Sequence, residues 1–282
     1  MCPHPSVQPN IGLVFFPRAR SQGGEEGDPD IVAHQFLQVL EPLSTKLVFI
    51  TGGFPRRAIP SPKTELWEVR CAIRLDQPVL LRALDHLLVQ WKLSYRLVRG
   101  AGQLDLVVFV GTTIVALPML TARLLRKKTL YINIGPIFEG ARELYRESPW
   151  GAALTRLIAF LEDLHYRLAD RAVVYAPSCL TPDLLKFRHK ISIAARHFVD
   201  TDTFRVNKPL RDRERVIGYI GRLDADKGIL ELLEAIPLVL EQSPDVAFFI
   251  GGDGRLRERV AEIVSANNVG DKLRLSGWLS RR

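Results

Sequence analysis

Cysteine is scarce in this chain of 282 residues: Cys2, Cys71 and Cys179 are odd in number and far apart. They form neither a disulfide framework nor a zinc-binding pattern, and a reducing, cytoplasmic compartment fits them best. The first residues, Met-Cys-Pro-His-Pro-Ser, lack the charged start and apolar run of a signal peptide. There is no internal repeat of fixed short period and no low-complexity tract. Nor is there a long run of Lys and Arg interleaved with aromatic residues. Disordered, collagen-like and low-complexity architectures are not expected, and neither is a nucleic-acid partner. One apolar run is long enough to resemble a membrane span, Leu106 to Leu125, but it contains Gly111, Thr112, Thr113, Pro118 and Arg123. It reads instead as a buried strand, Leu106 to Val110, then a turn and a helix, Ile114 to Leu125.

What is present is an ordinary globular composition, 47% hydrophobic and 25% charged, with enough length for two domains that each bury a core. Lys and Arg total 39 against 31 Asp and Glu, a formal charge of +8, so anionic partners are expected. The basic residues fall in short clusters at Arg56-Arg57, Arg123 to Lys128 and Arg205 to Arg215. For any one cluster a solvated surface is an equally open interpretation.

Along the chain, strand and helix patterns alternate. Ile11 to Phe16 reads as a strand that runs into a glycine-bearing loop, Pro17 to Asp30. Asp30 is placed to cap a helix from Ile31 that carries Val32, Phe36, Val39, Leu40 and Leu43 on one side. Strands are expected at Leu47 to Thr51, Leu66 to Arg70, Thr129 to Ile134, Ala172 to Tyr175 and Ile191 to Ala195. Between them lie helices from Val79 to Arg99 and around Leu154 to Leu168. In the first of these, Leu80, Leu84, Leu87, Leu88, Trp91, Tyr95 and Val98 recur at helical spacing. The ordinary fate of such a stripe is to pack on a sheet. With Arg82, Lys92, Arg96 and Arg99 beside it, the same helix could instead lie in an anionic membrane interface. The alternation predicts a mostly parallel sheet with helices on both faces.

A polar stretch from Phe204 to Arg215, containing Pro209, reads as a linker between residues 1–205 and residues 206–282. A second α/β unit then begins. Val216 to Ile220 reads as a buried strand, Ile229 to Gln242 as a helix interrupted by Pro237, Val246 to Ile250 as a strand, Leu256 to Asn267 as a helix and Leu273 to Leu275 as a strand. Three strands make half of a doubly wound sheet, so an open edge is expected near Leu273 to Leu275. Gly221 ends the first of these strands, and Arg222 and Lys227 follow before a helix near Gly228. Ligands of such sheets bind beyond the carboxyl ends of the strands, and a fork plus an ammonium suits a diphosphate. A surface loop with chance basic residues is the plain alternative.

Four blocks in order carry more than any one of them: Phe198-Val-Asp-Thr-Asp-Thr-Phe204, Gly221-Arg-Leu-Asp-Ala-Asp-Lys-Gly228, Gly251-Gly-Asp-Gly254 and Leu273-Arg-Leu-Ser-Gly277-Trp278. Together they resemble the retaining GT-B glycosyltransferases of family 4, the glycosyl transferase group 1 type. The resemblance is specific over roughly residues 160–280 and looser before that. It implies an α/β GT-B architecture, two Rossmann-like domains facing a cleft, the second incomplete here. The implied reaction moves a hexose from a nucleotide-diphosphate-sugar to a sugar, glycan or lipid-linked acceptor with retention of configuration, and without a metal. Arg222 and Lys227 match the pair that contacts the donor diphosphate. Gly221, Gly251, Gly252 and Asp253 match the nucleotide side, and Gly23 and Gly24, with Pro17 and Glu25, match a first-domain loop near the phosphates. The implied location is cytoplasmic, with a peripheral membrane contact open.

Three departures qualify the match. Tyr131-Ile-Asn-Ile-Gly135 lacks the family's His, leaving Asn133 as a sugar-binding or turn residue. His197-Phe198 replaces Asn-Gly in the crossing motif. The family's pair of glutamates eight positions apart lies past Arg282, and Glu139 and Glu147 share that spacing after the wrong strand. No catalytic residue is assigned. A non-catalytic remnant, or one half of a two-chain transferase completed by a partner, is the competing interpretation.

Overall fold

The structure is a computed structural model that describes residues 8–16, 31–52, 63–69, 78–111, 114–135, 137, 142, 150–194, 201, 204–266 and 271–279. The chain divides into two units, Met1–Phe198 and Val199–Arg282. The stretch from Phe204 to Arg215 contains no strand or α-helix, only a short 3-10 turn at Leu210–Asp212.

The first unit is built on seven strands: β1 (Asn10–Phe15), β2 (Lys46–Thr51), β3 (Thr64–Glu68), β4 (Leu106–Gly111), β5 (Lys128–Asn133), β6 (Arg171–Val174) and β7 (Ile191–Ile193). They form one parallel sheet in the order β3-β2-β1-β4-β5-β6-β7. Leu13 stands opposite both Phe49 and Val108 at its centre. All three are fully buried, as expected of central strands covered on both faces, whose sequences read as continuous apolar runs.

The handedness of parallel crossovers decides where the helices lie. Helix α1 (Ile31–Leu40) carries the chain from β1 outward to β2. Helix α2 (Val79–Gly100) returns from β3 to β4 on the other side of β1, and α3 (Ala116–Leu124) and α4 (Gly151–Leu168) continue in that direction. Right-handed connections running in opposite directions put their helices on opposite faces. Accordingly α1 packs into one core with Leu13, Leu47 and Phe49, while α2, α3 and α4 share the other core with Val14, Val48 and Phe109. The run from Leu106 to Leu125 is strand, turn and helix. Among the described residues no helix is long and apolar enough to cross a membrane.

Two helix faces differ from expectation. In α1 the buried residues are Ala33, Phe36, Leu37 and Leu40, while Val32, and Leu43 in the 3-10 turn that follows, are exposed. The unbroken 33, 36, 37, 40 stripe fits the sheet better than one centred on Val32 and Val39. In α2 the difference is larger. The face turned to the sheet carries Val89, Leu93 and Leu97 together with Gln90 and Ser94. The stripe from Leu84 to Val98 faces outward, and Leu80 has no described side chain. Two contacts set this rotation. Gly100 lets the helix end lie against Trp67 of β3, since a Cβ there would come within 1.8 Å of the indole. Gln90 Oε1 accepts the Leu117 N–H of α3 at 3.1 Å. Both faces of α2 are apolar, so periodicity alone finds the helix but not its inner side.

The second unit contains β8 (Val216–Ile220), α5 (Ile229–Gln242), β9 (Ala247–Gly251), α6 (Arg257–Ala266) and β10 (Leu273–Gly277). The parallel order is β10-β9-β8. Both crossovers run the same way, and α5 and α6 share one core with Phe248, Ile250 and Leu273. The expectation of a buried first strand fails here. Val216 is 45% and Ile220 75% exposed, whereas Leu273 of β10 is 6% exposed. The open edge expected near Leu273 to Leu275 is present, since β10 pairs only with β9 among the described residues; β8 is the sheet's other edge, and its apolar side chains are the more exposed ones.

Candidate functional site

In the second unit the sequence-predicted residues converge on two loops at the carboxyl ends of β8 and β9. Backbone hydrogen bonds lock the loops together. Gly221 N–H donates to Gly251 C=O at 3.0 Å, Leu223 N–H to Asp253 C=O at 3.0 Å, and Leu256 N–H back to Leu223 C=O at 2.9 Å. Gly252 N–H reaches Gly277 C=O of β10 at 2.6 Å. This closeness requires glycine: Gly252 has φ +149°, and a Cβ there would lie 1.8 Å from the Gly221 carbonyl oxygen. Gly228, at φ +70°, ends the short turn Ala225–Lys227 and starts α5.

A buried carboxylate organises the cations of these loops. Asp224 is 4% exposed. Its Oδ2 accepts from Arg222 Nη1 at 2.6 Å, and its Oδ1 accepts the Arg255 N–H at 3.1 Å and Arg255 Nε at 3.4 Å. Tyr219 OH donates to the Arg222 carbonyl at 2.7 Å, steadying the same turn. Asp253 accepts from the Gly254 N–H at 2.7 Å and from Arg257 Nη1 at 3.1 Å. Arg222, Arg255 and Arg257 are thus held by Asp224 and Asp253 where α5 and α6 begin, with Lys227 in the turn before α5. Helix N-termini add unpaired N–H groups and the positive end of the helix dipole. The combination suits a polyanion such as a diphosphate.

Of the expected residues, Gly221, Arg222, Lys227, Gly251, Gly252 and Asp253 fall in this paired-loop site. Gly23 and Gly24, with Pro17 and Glu25, lie outside the described residues, as do Glu139, Glu147 and His197-Phe198. Asp224, Arg255 and Arg257 were not singled out from sequence. Their signal was an acid flanked by cations in a strand-to-helix loop, which needs a partner once the loop folds inward. Among the described residues no group of three or more His, Cys, Asp or Glu side chains is arranged to hold a metal ion.

In the first unit the direction of winding reverses between β1 and β4, the position where doubly wound sheets bind ligands. There His86 of α2 stacks on Phe16, with ring centroids 4.3 Å apart, and its Nε2 lies 2.9 Å from the Ile114 carbonyl. Desolvation lowers its pKa. Asn133, by contrast, is used internally. Its Nδ2 donates to Glu162 Oε1 at 3.2 Å and to Tyr166 OH at 2.7 Å, while its Oδ1 accepts the Gly135 N–H at 2.9 Å. This is the turn role, and it engages both the oxygen and the nitrogen of the amide inside the first unit. Next to it His165 is fully buried. Its Nε2 accepts the Val115 N–H at 3.0 Å, so Nδ1 carries the proton. Burial pushes this imidazole down to about 3.

Residues 200–282 match the family model described as Glycosyl transferases group 1. A curated relative, alpha-D-kanosaminyltransferase of Streptomyces kanamyceticus, is 29% identical over 98 residues, 33% of this chain and 25% of that protein. The matched stretch of the chain thus spans about a quarter of that relative's length. Among solved structures, Anabaena HepE in complex with UDP and glucose superposes with TM-score 0.58 at 15% identity, covering 97% of this chain and 70% of HepE. The lipopolysaccharide outer core galactosyltransferase WaaB gives 0.56 at 14%, covering 95% and 68%. A putative UDP-N-acetylglucosamine 2-epimerase of Listeria monocytogenes gives 0.60 at 14%, covering 97% and 70%. At such identities these neighbours establish fold alone. The chain has the parallel α/β fold of GT-B glycosyltransferases, and its second unit matches the Glycosyl transferases group 1 domain.

Proposed function

We propose that this chain belongs to a retaining glycosyltransferase that moves a hexose from a nucleotide-diphosphate-sugar to a sugar, glycan or lipid-linked acceptor. The observation that carries the proposal is the interlocked pair of loops, with Arg222, Lys227 and Arg255 at the start of α5 and α6 and Asp224 beneath them. Match of the same residues to a glycosyltransferase family model supports a transferase over the epimerases that share the fold. In this reading Arg222 and Lys227 bear on the diphosphate, whose charge grows as the bond from the sugar carbon to the diphosphate oxygen breaks. Fixed cations facing that oxygen stabilise the departing nucleoside diphosphate more than the intact donor, which is how electrostatic preorganisation accelerates a reaction. No metal is invoked for this charge. Gly221, Gly251, Gly252 and Asp253 are assigned to the nucleotide side, and Gly23 and Gly24 are assigned to the donor diphosphate on the family resemblance alone.

A second reading, one half of a two-chain transferase, is supported by the exposed β8 edge. Titration calorimetry of the chain with UDP and GDP tests the donor site. Arg222→Ala is expected to weaken binding at least tenfold, a loss of about 1.4 kcal/mol or more. Unchanged affinity in Arg222→Ala would remove the diphosphate role. Intact binding with turnover of nucleotide-sugar appearing only when a partner chain is added would favour the two-chain reading.

A further inference from the structure

The outward stripe of α2 is an ordered apolar ridge. Leu84, Leu87, Leu88, Trp91, Tyr95 and Val98 are each at least half exposed. Trp91 and Tyr95 stack with centroids 6.0 Å apart and an interplanar angle of 18°, and the Arg99 guanidinium lies 5.8 Å from the Tyr95 ring centre. Helix α3 packs beside α2 and adds exposed Leu117, Leu120 and Leu124, and α4 beside α3 adds Leu157 and Phe160. Three neighbouring helices of one unit therefore turn large apolar side chains to solvent. Such a patch marks an interaction surface rather than scattered exposure.

The charge around the patch identifies what it meets. Lys92, Arg96 and Arg99 follow one flank of the α2 ridge, Asp85 is the one acid in α2, and α3 has none. Arg123 closes α3 and Arg126 and Lys127 follow it. Where α3 and α4 end, Arg123, Arg167, Arg171, His189 and Lys190 line an open depression of about 510 Å³ with Asp170. Arg123 and Lys190 each donate to a carbonyl at the end of α4, Leu168 at 3.2 Å and Ala169 at 2.8 Å. Arg167 also pairs with Asp163 at 2.6 Å. The Arg and Lys side chains retain further N–H groups for an anion.

We infer that this face docks on an anionic lipid surface, with the α2–α3 ridge in the interface and the depression over lipid phosphates. Trp and Tyr beside aliphatic residues, with Lys and Arg on the flank, suit the boundary between headgroups and acyl chains. A second copy of the chain is the poorer occupant, because it would set one basic flank against another. Docking stands independently of sugar transfer, and the test reads no activity.

Vesicle co-sedimentation of the full chain provides that test. Binding is expected to phosphatidylcholine vesicles containing phosphatidylglycerol, to be weak with phosphatidylcholine alone, and to fall as salt rises. Leu88→Ser with Trp91→Ser should lower the affinity at least tenfold while the chain still unfolds cooperatively, since both side chains are more than half exposed. Lys92→Glu with Arg96→Glu should do the same, while inorganic phosphate should not displace the chain from vesicles. Equal binding to both vesicle types, no binding at low salt, or displacement by phosphate would each overturn the inference. So would a dimer in sedimentation equilibrium that the Leu88, Trp91 double variant dissolves, which would assign the ridge to a second copy.

Discussion

His165 offers a quantitative check on how the first unit is packed. Its imidazole is fully buried, accepts the Val115 N–H, and is pushed by desolvation from 6.5 down to about 3. The unfolded chain therefore takes up the proton first as pH falls. The stability held by neutral His165 is complete above pH 6.5 and is lost progressively down to about pH 3. Each pH unit in that window costs about 1.4 kcal/mol, so moving from pH 7 to pH 5 removes about 2 kcal/mol through this side chain. That is a large share of a domain stability of about 5–15 kcal/mol. In His165→Gln the amide oxygen can accept the Val115 N–H without a titrating proton. Urea unfolding of both proteins, followed by the fluorescence of buried Trp67, should show their stability difference shifting by about 2 kcal/mol in favour of the variant between pH 7 and pH 5. His86 is also lowered by burial, but it is common to both proteins and cancels in the difference. A stability difference that does not move with pH, or a His165 resonance titrating near pH 6.5 in the folded protein, would refute the burial argument.

The paired-loop site makes two further predictions. Gly252→Ala places a Cβ 1.8 Å from the Gly221 carbonyl oxygen at φ +149°. It should destabilise the second unit by about 3 kcal/mol or more, seen as a lower urea midpoint and lost nucleotide binding. A variant with unaltered stability would show that the loops are not locked. Asp224→Ala removes the acceptor shared by Arg222 and Arg255 and leaves the Arg255 N–H without its partner. It should cost about 1–3 kcal/mol, discounted toward the lower end because both guanidinium groups are largely exposed. Calorimetry should show UDP affinity at least tenfold lower than in the native chain, and equal affinity would remove Asp224 from the positioning role.

The alternation of strand and helix was legible because central parallel strands are buried on both faces, so runs such as Val107 to Val110 are apolar throughout. The glycines and cations of the second-unit loops were legible for a different reason: their spacing is set by the backbone turn they must make. Three things were not legible. The inward face of α2 depends on Gly100 meeting Trp67 and Gln90 meeting Leu117, contacts between segments that periodicity treats separately. The exposure of β8 depends on its place in the sheet order, and its sequence gives no sign of an uncovered flank. Asp224 reads locally as one more acid in a polar loop, and only the fold of that loop buries it between two arginines.

The interlock of the two loops also bears on the order in which the chain acquires structure. Asp224 and Arg255 are separated by 31 positions, and the bonds from Gly221 to Gly251 and from Leu223 to Asp253 span similar distances along the chain. Closing loops of that size is entropically mild, so the anion site can form as soon as β8, α5 and β9 associate. The amides of Gly221, Leu223 and Leu256 should then exchange with solvent hydrogen together, as one cooperative unit whose protection does not wait for the first unit to fold.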